Sequence, residues 1–188
     1  MIKSRLPELD VALQQKITEL QDEGFEIWRR FDENVRQENW HPFVPVEYDD
    51  VLQLLLSLRA PNLRFLEWGS GTGVVTIMAD LLGFEAYGIE IDPGLTVIAR
   101  ELAAKYGSKA KFAEGSFLPA GYQWRAQDGD DRMGTLGIGK SGYLELGMPL
   151  EEFDIVYGYP WDGEAQIMRD VMKQYGAAHA LLLMPQQQ

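Results

Sequence analysis

The 188-residue chain predicts an α/β fold: a doubly wound, mostly parallel sheet of about five strands, with a helical extension ahead of it. Three observations carry that expectation. An apolar strand-like run, Phe65-Leu66-Glu67-Trp68, opens onto Gly69, Gly71 and Gly73, and a helical pattern of Val74, Val75, Ile77, Met78, Leu81 and Leu82 begins at once. Two further strand-like runs then alternate with a helical pattern between Ala86 and Glu114, and the same alternation resumes from Phe153 to Met184. Strand and helix in such repetition give parallel neighbours joined by right-handed crossovers.

Length and composition fit one domain with a full core and a helical appendage. With 17 basic and 29 acidic residues the net charge is −12, and no Lys/Arg-rich run reverses it locally, which disfavours a nucleic-acid substrate. No cysteine is present, so disulfides and thiolate metal sites are excluded, and a reducing cytosol fits. The start, MIKSRLPELD, has no apolar core of signal-peptide length, and no apolar run approaches the roughly 18 residues of a membrane span. The sequence therefore reads as cytoplasmic, without membrane association. His41 and His179 are far apart and lack i, i+4 partners, so no metal site is expected.

From Pro7 to about Asn39, Leu6, Leu9, Leu13, Ile17, Leu20, Ile27, Phe31 and Val35 form a stripe if Gly24 is counted on it. This predicts one long helix, or two meeting at Gly24, packed on the domain or a partner chain; a sharper reading has its charged face dock a substrate protein. Residues 1–46 are taken as this extension and 47–188 as the main domain. Pro42 and Pro45 in WHPFVPVEYDD stop the helix. Val51 to Leu58 predicts the next short helix, with Asp49 or Asp50 placed to cap it, and Ala60-Pro61-Asn62 leads into the opening strand.

The glycine turn suits backbone with φ > 0 and a ligand lying close against it, while free amides at the helix start offer donors. The second strand, Ala86 to Ile91, ends in Glu90 and Asp92, and a carboxylate at that tip is where an adenosine ribose would place its hydroxyls. The unit reads as a nucleoside-cofactor site. A helix follows from Pro93, with Leu95, Ile98, Ala99, Leu102 and Tyr106 buried, until Gly107; a third strand runs from Ala110 to Glu114. Gly115 and Ser116 then fall at the ligand-bearing end.

Residues 117–150 carry seven glycines and lack periodicity, so the crossover helix expected here is missing or short. The segment predicts a functional lid near the acceptor pocket, or short strands such as a hairpin from GYQWRAQ or GYLEL. GTLGIGKS fits the phosphate-loop pattern in letters, but neither a strand before it nor a helix after it is expected. The last elements are a strand Phe153 to Gly158, a helix Glu164 to Tyr175 and a strand Ala178 to Met184. Asp154 reads as a structural strand residue and His179 as core packing.

These motifs resemble the class I S-adenosylmethionine-dependent methyltransferases, a Rossmann-like family. FLEWGSGTG matches the first motif, with Glu67 at the usual acid, and YGIEIDP matches the second; FAEGSF and FDIVYGYPW are similar to the third and fourth. The resemblance covers Tyr48 to Met184 and implies S-adenosylmethionine as cofactor. It implies that Gly69, Ser70, Gly71 and Gly73 let the backbone approach the methionine part, with Glu67 close by. Glu90 would bind both ribose hydroxyls, Ile91 or Asp92 would flank the adenine, and Gly115 and Ser116 would border it. Many members have aspartate at Ser116, so a main-chain or Glu114 contact would replace that bond. The family sheet has seven strands, so an edge after the fifth must be short, twisted or covered, by the N-terminal helix or a second copy of the chain. A homodimer is possible on that ground.

Methyl transfer is an in-line displacement, in which alignment in a water-poor pocket does most of the work. Tyr157, Tyr159 and Trp161 supply aromatic faces at the end of the fourth strand, with Trp40, His41 and Tyr48 as an opposite wall. Gly158-Tyr159-Pro160-Trp161 lacks the first polar side chain of the Asn/Asp-Pro-Pro-Tyr pattern found in some amino-group methyltransferases. A protein lysine, a small-molecule amine or an oxygen is therefore favoured as acceptor over an adenine or glutamine amide, with Asp162, Tyr157 or His41 assisting proton removal. Two other readings stand beside this one: a catalytically silent cofactor-binding or scaffolding domain, and an NAD-dependent oxidoreductase. The latter is disfavoured because its glycine pattern requires glycine at Val74.

Overall fold

The computed structural model describes residues 9–36, 43–123, 139–161 and 163–185. Its strands are β1 (Arg64–Trp68), β2 (Glu85–Glu90), β3 (Lys111–Glu114), β4 (Ile155–Gly158) and β5 (Leu181–Leu183). All pair in parallel, in the order β3-β2-β1-β4-β5. The helices are α1 (Val11–Phe31), α2 (Tyr48–Leu58), α3 (Val74–Leu81), α4 (Pro93–Lys105), α5 (Tyr143–Leu146) and α6 (Glu164–Tyr175). The predicted doubly wound sheet is thus present.

Both faces of the sheet are covered, which is why its strands read as nearly continuous apolar runs. Alternation along β1 sends Phe65 to one face and Leu66 and Trp68 to the other. Phe65 packs among side chains of α1, α2, α3 and α4; Leu66 and Trp68 pack with Phe117, Tyr143, Met168 and Val171. The strand tips are level, since Trp68 pairs with Ile89 of β2 and with Gly158 of β4. Chain order reverses between β1 and β4, which opens a crevice beyond the carboxyl ends of the strands.

α1 runs through Gly24 as one helix and continues into a π-helical turn, Asp32–Arg36. Gly24 is needed for contact: a Cβ there would stand 2.4 Å from Val74 Cγ2, so its absence lets α1 lie directly on the start of α3. Glu23 also accepts hydrogen bonds from Lys105 Nζ (2.6 Å) and Tyr106 Oη (2.7 Å). The helix therefore packs over α3 and the end of α4, not along the β5 edge suggested for it. That edge is blunted by its own length of three residues.

Other elements depart locally from expectation. α2 starts at Tyr48, and neither Asp49 nor Asp50 caps it; both lie in its first turn, where the helix dipole favours acids. GYLEL holds the short helix α5 instead of a strand, while residues 124–127 of GYQWRAQ lie outside the described residues. So do Gly134 to Ile138 of the phosphate-loop-like stretch; its described end pairs with Ser116, whose amide donates to Lys140 O at 2.9 Å. His179 precedes β5 in a turn, largely exposed, with Nε2 3.1 Å from Asp154 Oδ1, so it is not core packing. Asp154 also accepts from Arg64 N at 2.8 Å, fastening the amino ends of β1 and β4. No described helix is long and apolar enough to cross a membrane.

Candidate functional site

At the carboxyl ends of β1, β2 and β4, two adjoining cavities of about 120 Å³ and 50 Å³ meet over the glycine turn. The turn follows β1 because Gly69, Gly71 and Gly73 all take positive φ, at 69°, 52° and 78°. Gly69 and Ser70 donate their amides to Ile89 O at 2.9 and 3.0 Å, which pins the turn to β2. Gly69, Ser70 and Gly71 line the cavities. Gly73 does not; it faces the rings and methyls of Phe112 and Ala99 and starts α3.

Glu90, at the tip of β2, is buried and bridges two backbone segments. Its carboxylate accepts from Gly71 N at 2.7 Å and Asp92 N at 2.9 Å. One amide expected to be open to a ligand is thus already held by the strand-tip acid. Burial is the largest influence on Glu90 and raises its pKa, against the pull of these amide bonds. Ile91 lines the larger cavity, whereas Asp92 accepts from Leu95 N at 2.9 Å and caps α4. Gly115 and Ser116 line the larger cavity as well, and Ser116 Oγ accepts from Leu118 N at 3.1 Å.

Glu67 lines the smaller cavity and accepts from both the amide and the hydroxyl of Thr76. Burial pushes its pKa up to about 8; the Thr76 bonds oppose this and Glu90 adds to it, so the carboxyl keeps its proton near neutral pH. Tyr48 and Tyr157 border the same cavity, and burial raises the pKa of both phenols, with Glu67 reinforcing the shift. The Tyr157 hydroxyl and Ser70 Oγ are buried without a hydrogen-bond partner. Tyr159 borders both cavities and Trp161 the larger one. Asp162, Trp40 and His41 lie outside the described residues.

Several lining residues escaped the sequence reading. Trp68, read only as strand, stacks on Phe117 with ring centroids 4.9 Å apart and donates Nε1 to Tyr143 Oη at 2.7 Å. Glu164, the first residue of α6, is buried and accepts from Trp161 N at 2.9 Å; its spacing three residues after Trp161 was the available signal. Phe43 and Val44 border both cavities and had no periodic signal. Among the described lining residues three are carboxylates, Glu67, Glu90 and Glu164, and none is Lys, Arg or His.

No family model matches the chain. Over 69 residues, 37% of its length, it is 39% identical to the ribosomal protein L11 methyltransferase of Thermus thermophilus, and it covers 27% of that relative. An RNA methyltransferase from Salinibacter ruber, solved in complex with S-adenosyl-L-homocysteine, superimposes with a TM-score of 0.54 at 20% identity, covering 75% of this chain and 76% of the other. Precorrin-6y C5,15-methyltransferase from Geobacter metallireducens GS-15 superimposes with a TM-score of 0.52 at 16% identity, covering 77% of this chain and 64% of the other.

Proposed function

From a chain that has the Rossmann-like fold of the class I S-adenosylmethionine-dependent methyltransferases, and resembles them in motif, we propose an enzyme that uses S-adenosylmethionine to methylate a protein lysine or a small-molecule amine or oxygen. The observation that carries this reading is Glu90: a buried carboxylate at the β2 tip, tied to the glycine turn at the switch point of the sheet. The surrounding residues fit the cofactor. A Cβ at Gly69 would meet only open space, and Ser70 Oγ and the Tyr157 hydroxyl are buried polar atoms awaiting a partner. Glu90 would hold the ribose, Ile91, Leu95 and Phe117 the base, and Ser70, Glu67 and Tyr157 the amino-acid end.

When bound, the cofactor supplies an electrophilic methyl group on a sulfonium and is left as S-adenosylhomocysteine after transfer. The chain's own contribution is placement and exclusion of water. Trp68, fixed by Phe117 and Tyr143, floors the crevice, while Tyr159 and Trp161 offer faces that attract a cation. An ammonium acceptor gives up one proton before its nitrogen attacks, and Glu164 and Asp162 are the candidates to receive it; Tyr157, whose phenol burial keeps protonated, can offer a hydrogen bond but not take the proton. Glu90 and Glu164 among the described lining residues support an amine over a phosphate-bearing acceptor; Glu67, being protonated, adds no charge to them. Residues 47–188 carry most of the site in this reading, residues 1–46 add Phe43 and Val44 to its lining, and the lack of cysteine supports a cytoplasmic setting.

The test is transfer. Purified protein given methyl-labelled cofactor and a cell lysate labels a protein or small amine, and Glu90→Ala lowers the label at least about tenfold. Label that ribonuclease removes contradicts the acceptor assignment. Intact cofactor binding with no label on any component favours the silent cofactor-binding domain.

A further inference from the structure

Phe43 lies among residues 43–47, which lead into α2 without helix or strand, and its ring rests on the glycine turn. A Cβ built on Gly71 would stand 2.7 Å from Phe43 Cε2 and 3.0 Å from Cδ2. The same ring borders both cavities, and the two also share Trp68, Gly69, Gly71 and Tyr159. They are therefore two lobes of one crevice, with Phe43 at the partition. At about 120 and 50 Å³, neither lobe approaches the ~300 Å³ at the low end of small-molecule pockets. A nucleoside carrying an amino-acid tail needs the lobes joined. Glu90 and Ile91 border one lobe, and Glu67 and Ser70 border the other.

The ring also meets a second aromatic side chain. Phe31, the last residue of α1, meets it edge-on, with centroids 5.4 Å apart and planes at 83°, an arrangement aromatic pairs prefer. α1 is in turn seated on α3 through the Gly24 contact with Val74. Phe31 thus ties the Phe43 ring to the N-terminal helix, although the ring acts on the glycine turn.

We propose that Phe43 is the gate and then the wall of the cofactor crevice: its ring leaves Gly71 to join the two lobes as an S-adenosyl ligand enters, and afterwards packs against that ligand. The proposal rests on the cofactor assignment made above. Because only the open state admits ligand, the observed association rate carries the fraction open, and loosening the ring raises that fraction.

The experiment is stopped-flow binding of S-adenosylhomocysteine, followed by tryptophan fluorescence, with Trp68 in the crevice as reporter. Phe43→Ala raises the association rate at least about fivefold and also speeds dissociation, because the wall is lost. Phe31→Leu keeps the Phe43 ring and removes its edge-on partner; it raises the association rate and leaves dissociation within about twofold of wild type. If wild type binds S-adenosylhomocysteine and neither variant associates faster, Phe43 is no gate. If wild type binds none, the cofactor assignment itself fails. Should Phe43→Ala not fold, as judged by circular dichroism, Phe31→Leu and Phe43→Leu carry the same comparison.

Discussion

Glu67 and Glu90 stand on neighbouring strands, yet their surroundings set different tasks. Glu90 gathers amide donors from two segments, so it is a structural tie as well as the proposed ribose ligand. Among the described residues Glu67 has only Thr76 as a hydrogen-bond partner, and burial holds it protonated. An acid whose pKa rises from 4.5 unfolded to about 8 folded keeps its proton in the native state where the unfolded chain has lost it. Its contribution to stability is fully present below pH 4.5 and is lost as the pH rises through about 8. Relative to Glu67→Gln, wild type therefore loses stability between pH 5 and 8, by a few kcal/mol, since each tenfold change in proton affinity is worth ~1.4 kcal/mol. Urea unfolding of both proteins across that range checks it, and a difference that does not change with pH contradicts the burial argument. The acid at each strand tip was legible in the sequence from its place after an apolar run. The proton on Glu67 was not, because it depends on Tyr48, Tyr157 and the Phe43 segment enclosing that side chain.

At the scale of elements, strand and helix alternation was legible wherever an element buries a regular stripe, as in β1, α3, α4 and α6. It failed where tertiary contacts outweigh local pattern. GYLEL alternates like a strand, but Tyr143 accepts from Trp68, and Glu145 pairs with Arg100 at 2.7 Å and accepts from Glu114 N at 3.0 Å, which selects the helical turn. Ala178 and His179 continue an apolar run, yet the contact with Asp154 accompanies a turn and shortens β5. Gly24 offers a direct test of how α1 is seated. Gly24→Ala gains about 1 kcal/mol in helix propensity. It also drives a methyl into Val74, whose branched side chain has essentially one rotamer in a helix, at a cost of about 1–3 kcal/mol. The net effect is destabilising, and a Gly24→Ala/Val74→Ala pair recovers part of the loss in a double-mutant cycle. Additive effects of the two changes would mean that α1 does not bear on α3 at this point.

For the whole molecule, topology decides where ligands bind. Reversal of chain order between β1 and β4 brings the glycine turn, Glu90, Ser116 and the Tyr157 to Trp161 segment to one crevice, from positions far apart in sequence. That convergence was legible, because parallel strands necessarily place such residues at one end of the sheet. The opposite wall was not: Phe43, Phe117 and Glu164 reach the crevice from irregular segments or a helix start, where no period marks a buried side. The net charge of −12 favours cationic ligands at long range, and Glu67, being protonated, adds nothing to it. The most direct test of the central claim is calorimetric titration with S-adenosylhomocysteine and, separately, with a nicotinamide dinucleotide. The account predicts that S-adenosylhomocysteine binds, one molecule per chain, that Glu90→Ala weakens it by at least about 1 kcal/mol, or roughly fivefold, and that the dinucleotide gives no binding heat. Binding of the dinucleotide with none of S-adenosylhomocysteine, or an affinity untouched by Glu90→Ala, would contradict it.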